Sequence, residues 1–252
     1  MTPAEYPAVM ADPVMAPYVR PYIGSKELIK GHQRWCLWLQ DMDPSAPSKS
    51  AELRRRLRGV ESERLASKAA STQDYARFPH LFRQIGIVSD ASIVGIPEVS
   101  SENRRYLPVG HLEPGTIISN KVYGAEDSDG MVFAVASSSM FITWMKTVGG
   151  RMKSDPSFSS TLTWNNFPLP HLSPTQRQAI IAAGQKILTA RALQPDWSLE
   201  KHYSPLAMAP ALVKAHDALD SLVDKALGAP RRCRDERERQ HYLFESFARL
   251  IS

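Results

Sequence analysis

The spacing of apolar side chains changes near residue 170. Between Phe78 and Leu162 they come in short runs parted by turn residues, which predicts strands over "ASIVGIP" (91–97), "RRYLPV" (104–109) and "TIISNKVYG" (116–124), with "EDSDG" (126–130) a turn by composition. Upstream, "SKELIKG" (25–31) predicts a short helix with a serine N-cap and a glycine stop. "QRWCLWL" (33–39) predicts a buried strand, "DMDPSAPS" a loop, and the polar stretch from Lys49 to Ala70 a long helix. "MVFAVASSSMFITWMKTVGG" predicts a strand in its first half and then a helix stopped by Gly149 and Gly150, and "SSTLTW" (159–164) predicts one more strand.

Beyond prolines 168, 170 and 174 the period is helical throughout. Thr175–Arg191 sets Ile180, Ile181, Gly184, Ile187 and Leu188 on one face. Pro210 stands where a first helical residue would, and Leu212, Ala215, Leu219, Leu222 and Ala226 follow as a packing stripe. A last helix is expected to bury Leu243, Phe244, Phe247, Leu250 and Ile251. The predicted fold class is α+β: a mixed or antiparallel short-strand domain with helices, followed by a C-terminal three-helix segment. The expected divisions are an irregular lead-in or linker over 1–22, a domain over 23–170, and a helical domain over 171–252.

Composition narrows the function classes. With 252 residues, 43% of them apolar, a sizeable core can be buried. The net charge of +5 suits an anionic partner without specifying one. Two distant cysteines, Cys36 and Cys233, make neither a disulfide framework nor a zinc site, and point to a reducing cytoplasm. No apolar run approaches the roughly 18 residues of a membrane span. The proline-rich start lacks the regions of a signal peptide.

Several motifs invite chemistry and fall short of it. "NNFP" (165–168) echoes the Asn/Asp-Pro-Pro-aromatic tetrapeptide of amino-group DNA methyltransferases, but its residue order is wrong. No glycine-rich nucleotide fingerprint is present. His216 and Asp220, four apart on a helix, lack a third metal ligand, and Asp217, Asp220 and Asp224 read as the wet face of that helix. Ser137 to Ser139 lack a nucleophile elbow and read as small packing residues or a polar contact. The arginines at 54, 55, 56, 58 and 64, set against Glu52, Glu61 and Glu63, read either as a solvated helix laced with ion pairs or as a phosphate-facing one.

"GGRMKSDPSFSS" (149–160) is different. An extended chain puts Arg151, Lys153, Asp155 and Ser157 on one face, with Met152 and Phe158 on the other. A lysine donates to guanine O6 and N7, and an aspartate accepts from cytosine N4, so Lys153 and Asp155 suit the two halves of a G·C pair. Arg151 and Lys146 are candidates for phosphates, as are Arg104 and Arg105, either of which can instead pair with acids. A mundane surface ion pair is the competing reading.

Taken together, "YIGSKELIKGHQRWCLWLQD", "IPEVSSENRRYLPVG", "SSSMFITWMKTVGGRMKSDPSFS", "WNNFPLP" and "YSPLAMAPALVKAHDALDSLVDKALG" resemble, in order, the C-terminal part of MmeI-like type II restriction–modification enzymes. Those join an adenine-N6 DNA methyltransferase and a nuclease in one polypeptide. The resemblance implies a target-recognition domain up to about residue 170, reading base pairs of double-stranded DNA in the major groove. It implies that Lys153 and Asp155 act as a pair on one base pair, favouring guanine, and that Ser157 with Lys121 reads another. The methyltransferase and nuclease motifs of that family lie upstream of the part matched here. The implied chain is therefore non-catalytic, with no cofactor or metal of its own. Its implied partner is a methyltransferase catalytic domain, in the same parent chain or a separate subunit, which would hold S-adenosylmethionine. The rival of another class is a protein-interaction or oligomerisation domain using the C-terminal helices. Pro156, which lacks a ladder donor, implies an edge or loop.

Overall fold

The computed structural model describes residues 1–252. In chain order the elements are α1 (Tyr6–Met10), a 3-10 turn (Ala16–Tyr18), β1 (Val19–Ile23), α2 (Ser25–Lys30), β2 (Trp35–Leu37), α3 (Ala46–Lys49), α4 (Ala51–Leu65), α5 (Ala70–Gln73), a second 3-10 turn (Asp74–Arg77), β3 (Ile93–Pro97), β4 (Gly110–Leu112), β5 (Ile117–Ile118) and β6 (Val122–Glu126). They continue with α6 (Met131–Ala136), α7 (Ser139–Val148), β7 (Gly150–Met152), β8 (Asp155–Ser157), one π-helical turn (Ser160–Trp164), α8 (Pro174–Ala192), α9 (Leu199–His202), α10 (Pro210–Ala226) and α11 (Glu236–Ile251). This is the α+β arrangement with C-terminal helices that the spacing predicts. The helical end has three long helices, with the single turn of α9 between the first two.

The strands form three small sheets. β1 pairs antiparallel with β2 and parallel with β5, β3 lies between β4 and β6 with both neighbours antiparallel, and β7 and β8 form a hairpin. The proline-rich start, expected as an irregular lead-in, is folded. Val9 and Met15 are buried with Leu39, Ala46 and Leu53 in a small core of their own. Prolines begin α1 and the first 3-10 turn, where a missing N–H breaks no bond. Gly24, not Ser25, caps α2; the Glu27 carboxylate accepts from the Gly24 N–H at 2.9 Å, and Gly31, at φ 71°, ends the helix. The Ser25 hydroxyl is free to donate to the Lys121 carbonyl at 2.8 Å.

Four other stretches differ from their predicted state. "RRYLPV" is irregular backbone that buries Tyr106, Leu107 and Val109 ahead of β4. "TIISNKVYG" breaks into β5 and β6, which belong to different sheets. "MVFAVA" is the helix α6, not a strand. The Asp127 carboxylate accepts from the N–H groups of Gly130, Val132 and Phe133 at 2.9–3.1 Å and so fixes the start of that helix. "SSTLTW" is the π-helical turn, opened by the Ser159 hydroxyl accepting from the Leu162 N–H.

One core joins both halves of the chain. Val94 and Ile96 of β3, Phe133 of α6 and Phe141 of α7 pack with Ile180 and Ile187 of α8, Leu212 and Leu219 of α10 and Leu243 of α11. A Cβ at Gly184 of α8 would lie 2.7 Å from the Ala134 Cβ of α6, so glycine lets these two helices approach. Asp220 and Asp224, expected on a wet face, are fully buried. Asp220 accepts from the N–H and hydroxyl of Ser139, Asp224 accepts from the Cys233 N–H, and Arg239 lies beside both carboxylates. On α11 the expected apolar face is only part-buried: Leu243 is inside, whereas Phe244, Leu250 and Ile251 are exposed.

Candidate nucleic-acid interface

The stretch 150–157 folds as a two-stranded ribbon, exposed along β7 and the loop and partly buried along β8, rather than one continuous strand. Its register pairs Gly150 with Ser157, Arg151 with Pro156 and Met152 with Asp155, leaving Lys153–Ser154 as a two-residue loop. Lys153 has φ 59°, a left-handed backbone that lysine adopts at a cost of about 1 kcal/mol or more. Directly paired residues share a face, so Met152, Asp155 and Ser157 lie together, while Arg151 lies with the buried Pro156. The alternation expected across the whole stretch is broken at the loop: Arg151 leaves the Asp155–Ser157 row, and the exposed Met152 enters it.

The ribbon is fixed to the β3 sheet. Past Pro97 the chain runs on beside β8, with the Phe158 N–H donating to the Glu98 carbonyl (2.8 Å) and the Ser100 N–H to the Pro156 carbonyl (3.1 Å). Phe158 stands edge-on to Tyr123 of β6, with ring centroids 4.7 Å apart. Pro156 is opposite Arg151, next to the loop-closing pair, where its nitrogen points away from β7 and the β7–β8 ladder loses no donor; towards Ser100 it contributes only its carbonyl.

The candidate side chains have separate surroundings. Lys153 is exposed at the loop and makes no hydrogen bond or ion pair within the chain. Asp155 is half-buried, and its Oδ1 accepts from the Glu102 N–H at 3.0 Å, which orients the carboxylate. The Ser157 hydroxyl donates to the Glu98 carbonyl at 3.3 Å, while the Lys121 ammonium lies 3.0 Å from the Glu98 carboxylate. Glu98 therefore brings Lys121 and Ser157 to one place. Sequence spacing missed Glu98 and Glu102, although charged residues just past a buried strand were a signal for them, and it placed Met152 on the opposite face.

The candidate phosphate contacts divide. Arg151 donates to the Ser154 carbonyl (2.8 Å) and the Lys146 carbonyl (3.3 Å), bracing the ribbon, and its side chain is exposed. The Lys146 side chain is largely covered and is engaged with Glu236 of α11, so it joins α7 to α11 rather than standing free. Arg105 pairs with Asp217 at 2.7 Å and lies over the Tyr106 ring. Arg104 is half-buried with no acid in ion-pair contact; burial lowers its pKa, against the opposing pull of Glu200 and Asp155.

Behind this surface lies a buried polar cluster. His216 stacks on Tyr106 at 3.9 Å between centroids. The Tyr203 hydroxyl accepts from Arg191 and so is left to donate to His216 Nε2 at 3.0 Å. Burial, with Arg191 nearby, pushes the His216 pKa well below its ordinary value, so the ring is neutral. His216 and Asp220 are thus held by separate partners and share no metal geometry. The arginines of α4 mostly have local partners: Arg55 and Arg56 bond Glu52, and Arg64 caps the carbonyls of Tyr75, Phe78 and Leu81.

Comparison with known proteins gives the arrangement a family context. The family model described as "MmeI, target recognition domain" matches residues 1–171, and the one described as "MmeI, C-terminal domain" matches residues 172–252. The chain is 35% identical over 219 residues to DNA methyltransferase A of Bacillus subtilis (strain 168), a match covering 87% of this chain and 25% of that protein. It is also similar to the Type IIL restriction-modification enzyme MmeI, solved in complex with DNA, with a TM-score of 0.91 and 34% identity over all of this chain and 33% of that one. The chain thus spans a quarter to a third of the length of these relatives.

Proposed function

Because the chain belongs to the MmeI family, matching its target-recognition and C-terminal domain models in succession, we propose that it is the DNA target-recognition module of a restriction–modification methyltransferase. It reads base pairs in the major groove and presents the duplex to a separate catalytic domain. The observation that carries this is the β7–β8 ribbon: β7 and the loop are exposed, β8 is braced along its outer edge by residues 98–100, Lys153 is unpartnered at the loop and Asp155 is oriented beside it. A two-stranded ribbon fits the major groove, whereas phosphate contacts alone would carry no sequence information. Lys153 donates to guanine and Asp155 accepts from the paired cytosine. Ser157 and Lys121, gathered by Glu98, read a neighbouring pair, and the exposed Arg151 with Arg104 adjoins the backbone. The relative solved with DNA supports the choice of ligand.

On this reading the chain is not itself catalytic, and S-adenosylmethionine belongs to the methyltransferase partner. Its tightly packed glycines at 95, 110 and 124 face leucine, isoleucine and valine side chains rather than a phosphate cradle, which supports that assignment. No helix is long and apolar enough to cross a membrane. Oligomerisation through the α10 stripe is disfavoured because Leu212 and Leu219 are fully spent inside the shared core.

Profiling the sites methylated by the enzyme that contains this chain tests the reading. The double variant Lys153→Ala/Asp155→Ala should lose preference at one base pair, by about 1–3 kcal/mol per bidentate contact, or roughly 5- to 150-fold. An unchanged target sequence refutes it.

A further inference from the structure

The region that carries the reading ribbon is poor in positive charge. Residues 84–171 hold six Lys and Arg against eight Asp and Glu. Affinity for a duplex comes largely from phosphate neutralisation, so a reading segment with no net positive charge needs basic groups from elsewhere. A basic excess lies on both sides of it: residues 1–83 hold thirteen Lys and Arg against nine acids, where Arg55, Arg56 and Arg64 are engaged locally, and residues 172–252 hold twelve against nine, with five of those arginines in "RRCRDERER" (231–239).

Contacts place that stretch beside the ribbon. Arg151 of β7 donates to the Lys146 carbonyl, and the Lys146 ammonium pairs with Glu236, at the start of α11. From the other side, Arg232 and Arg105 both meet Asp217, and the chain from Arg105 leads back to Glu102, whose N–H holds Asp155. The acids of the stretch have internal roles: Glu236 with Lys146, Glu238 with Arg231, and Asp235 as the N-cap of α11. Arg237 is exposed with no partner, and Arg234, its side chain 78% exposed, has only a 3.5 Å approach to Glu238.

The backbone of this stretch is also held from below. Cys233 is buried, its N–H donates to the Asp224 carboxylate at 2.7 Å, and Arg239 donates to the Cys233 carbonyl and to Asp224. A buried Arg–Asp pair adds little net stability but fixes geometry. Here it fixes the segment on which Arg234 stands.

We infer that the α10–α11 connection, through Arg234 and Arg237, is a second DNA-contact surface that grips the phosphate backbone flanking the groove entered by the ribbon. It supplies affinity without sequence choice. The inference rests on the target-recognition reading above, and it assigns to the C-terminal helices a role in DNA binding besides packing.

The test is the salt dependence of duplex binding by this chain, native against Arg234→Gln/Arg237→Gln, with the fold checked by circular dichroism. Each phosphate contact contributes about 0.9 to the slope of log affinity against log salt, so the double variant should lower the slope by about 1.8. Its affinity deficit should shrink by about 12-fold from 50 to 200 mM salt, with the preferred sequence unchanged. A folded double variant with the native slope overturns the assignment of this loop and leaves the ribbon reading standing. Native chain that fails to bind duplex even at low salt overturns both.

Discussion

Replacing Arg239 with methionine probes the charge cluster that ties the helices to the rest of the chain. The guanidinium is 8% exposed and lies 3.1 Å from the Asp224 carboxylate and 3.6 Å from that of Asp220, both of which are fully buried. Methionine keeps the apolar stem and removes the charge, leaving two buried carboxylates with only the Ser139 and Cys233 donors. Breaking a buried pair in this way costs about 3–5 kcal/mol. Burial already pushes the Asp220 carboxyl from 3.8 up to about 6, with Arg239 the chief opposing influence. In the variant it rises further. A raised carboxyl binds protons more readily in the folded than in the unfolded chain, so its penalty is full above the folded value and fades as pH falls toward 3.8. The loss caused by Arg239→Met should therefore be largest at pH 8 and smaller at pH 5 by about 1 kcal/mol or more. His202 and His216, whose pKa values are lowered by burial, act in the opposite direction in both proteins and cancel in the difference. Urea unfolding of the two proteins at both pH values measures this. A loss below about 1 kcal/mol at pH 8, or one equal at both pH values, refutes the argument.

Lys153→Gly should raise stability by about 1 kcal/mol, because glycine accepts φ 59° without strain, while abolishing the guanine preference; unfolding midpoints and site profiling check the two halves. Native stability should carry a component lost as pH falls below 6.5, at about 1.4 kcal/mol per pH unit for His216, whose folded pKa is depressed; His216→Phe should remove that component in urea titrations between pH 6.5 and 5. Gly184→Val should cost about 1–3 kcal/mol by forcing α8 off α6, seen as a lower thermal midpoint.

Patterning alone was sufficient for the fold class and for the long C-terminal helices, because amphipathic helices print their period on the chain, while the strand at 93–97, buried at all five positions, was legible only as a short apolar run bounded by turn residues. It failed at "MVFAVA", whose residues from Phe133 on are buried. A segment covered on every side has no face to alternate, and the backbone donors taken by Asp127 made it a helix. It failed again at Asp220 and Asp224, since the acidic spacing of a wet face is also the spacing of a buried one when Arg239 arrives from a helix fifteen residues further on.

The identities of Lys153 and Asp155, and the hydrogen-bonding chemistry they offer to a base pair, were settled by the sequence by itself, because donor and acceptor character belongs to the side chain. Their placement was decided by tertiary structure. The two-residue loop moved Arg151 to the other face and brought in Met152. Glu98 gathered Lys121 and Ser157 from positions far apart in the chain. Lys146 and Glu236, ninety residues apart, brought the arginines after α10 beside the ribbon. Local periodicity reports which way a side chain points within its own element. Which elements meet depends on burial and charge pairing between distant segments, and a one-dimensional pattern does not contain that.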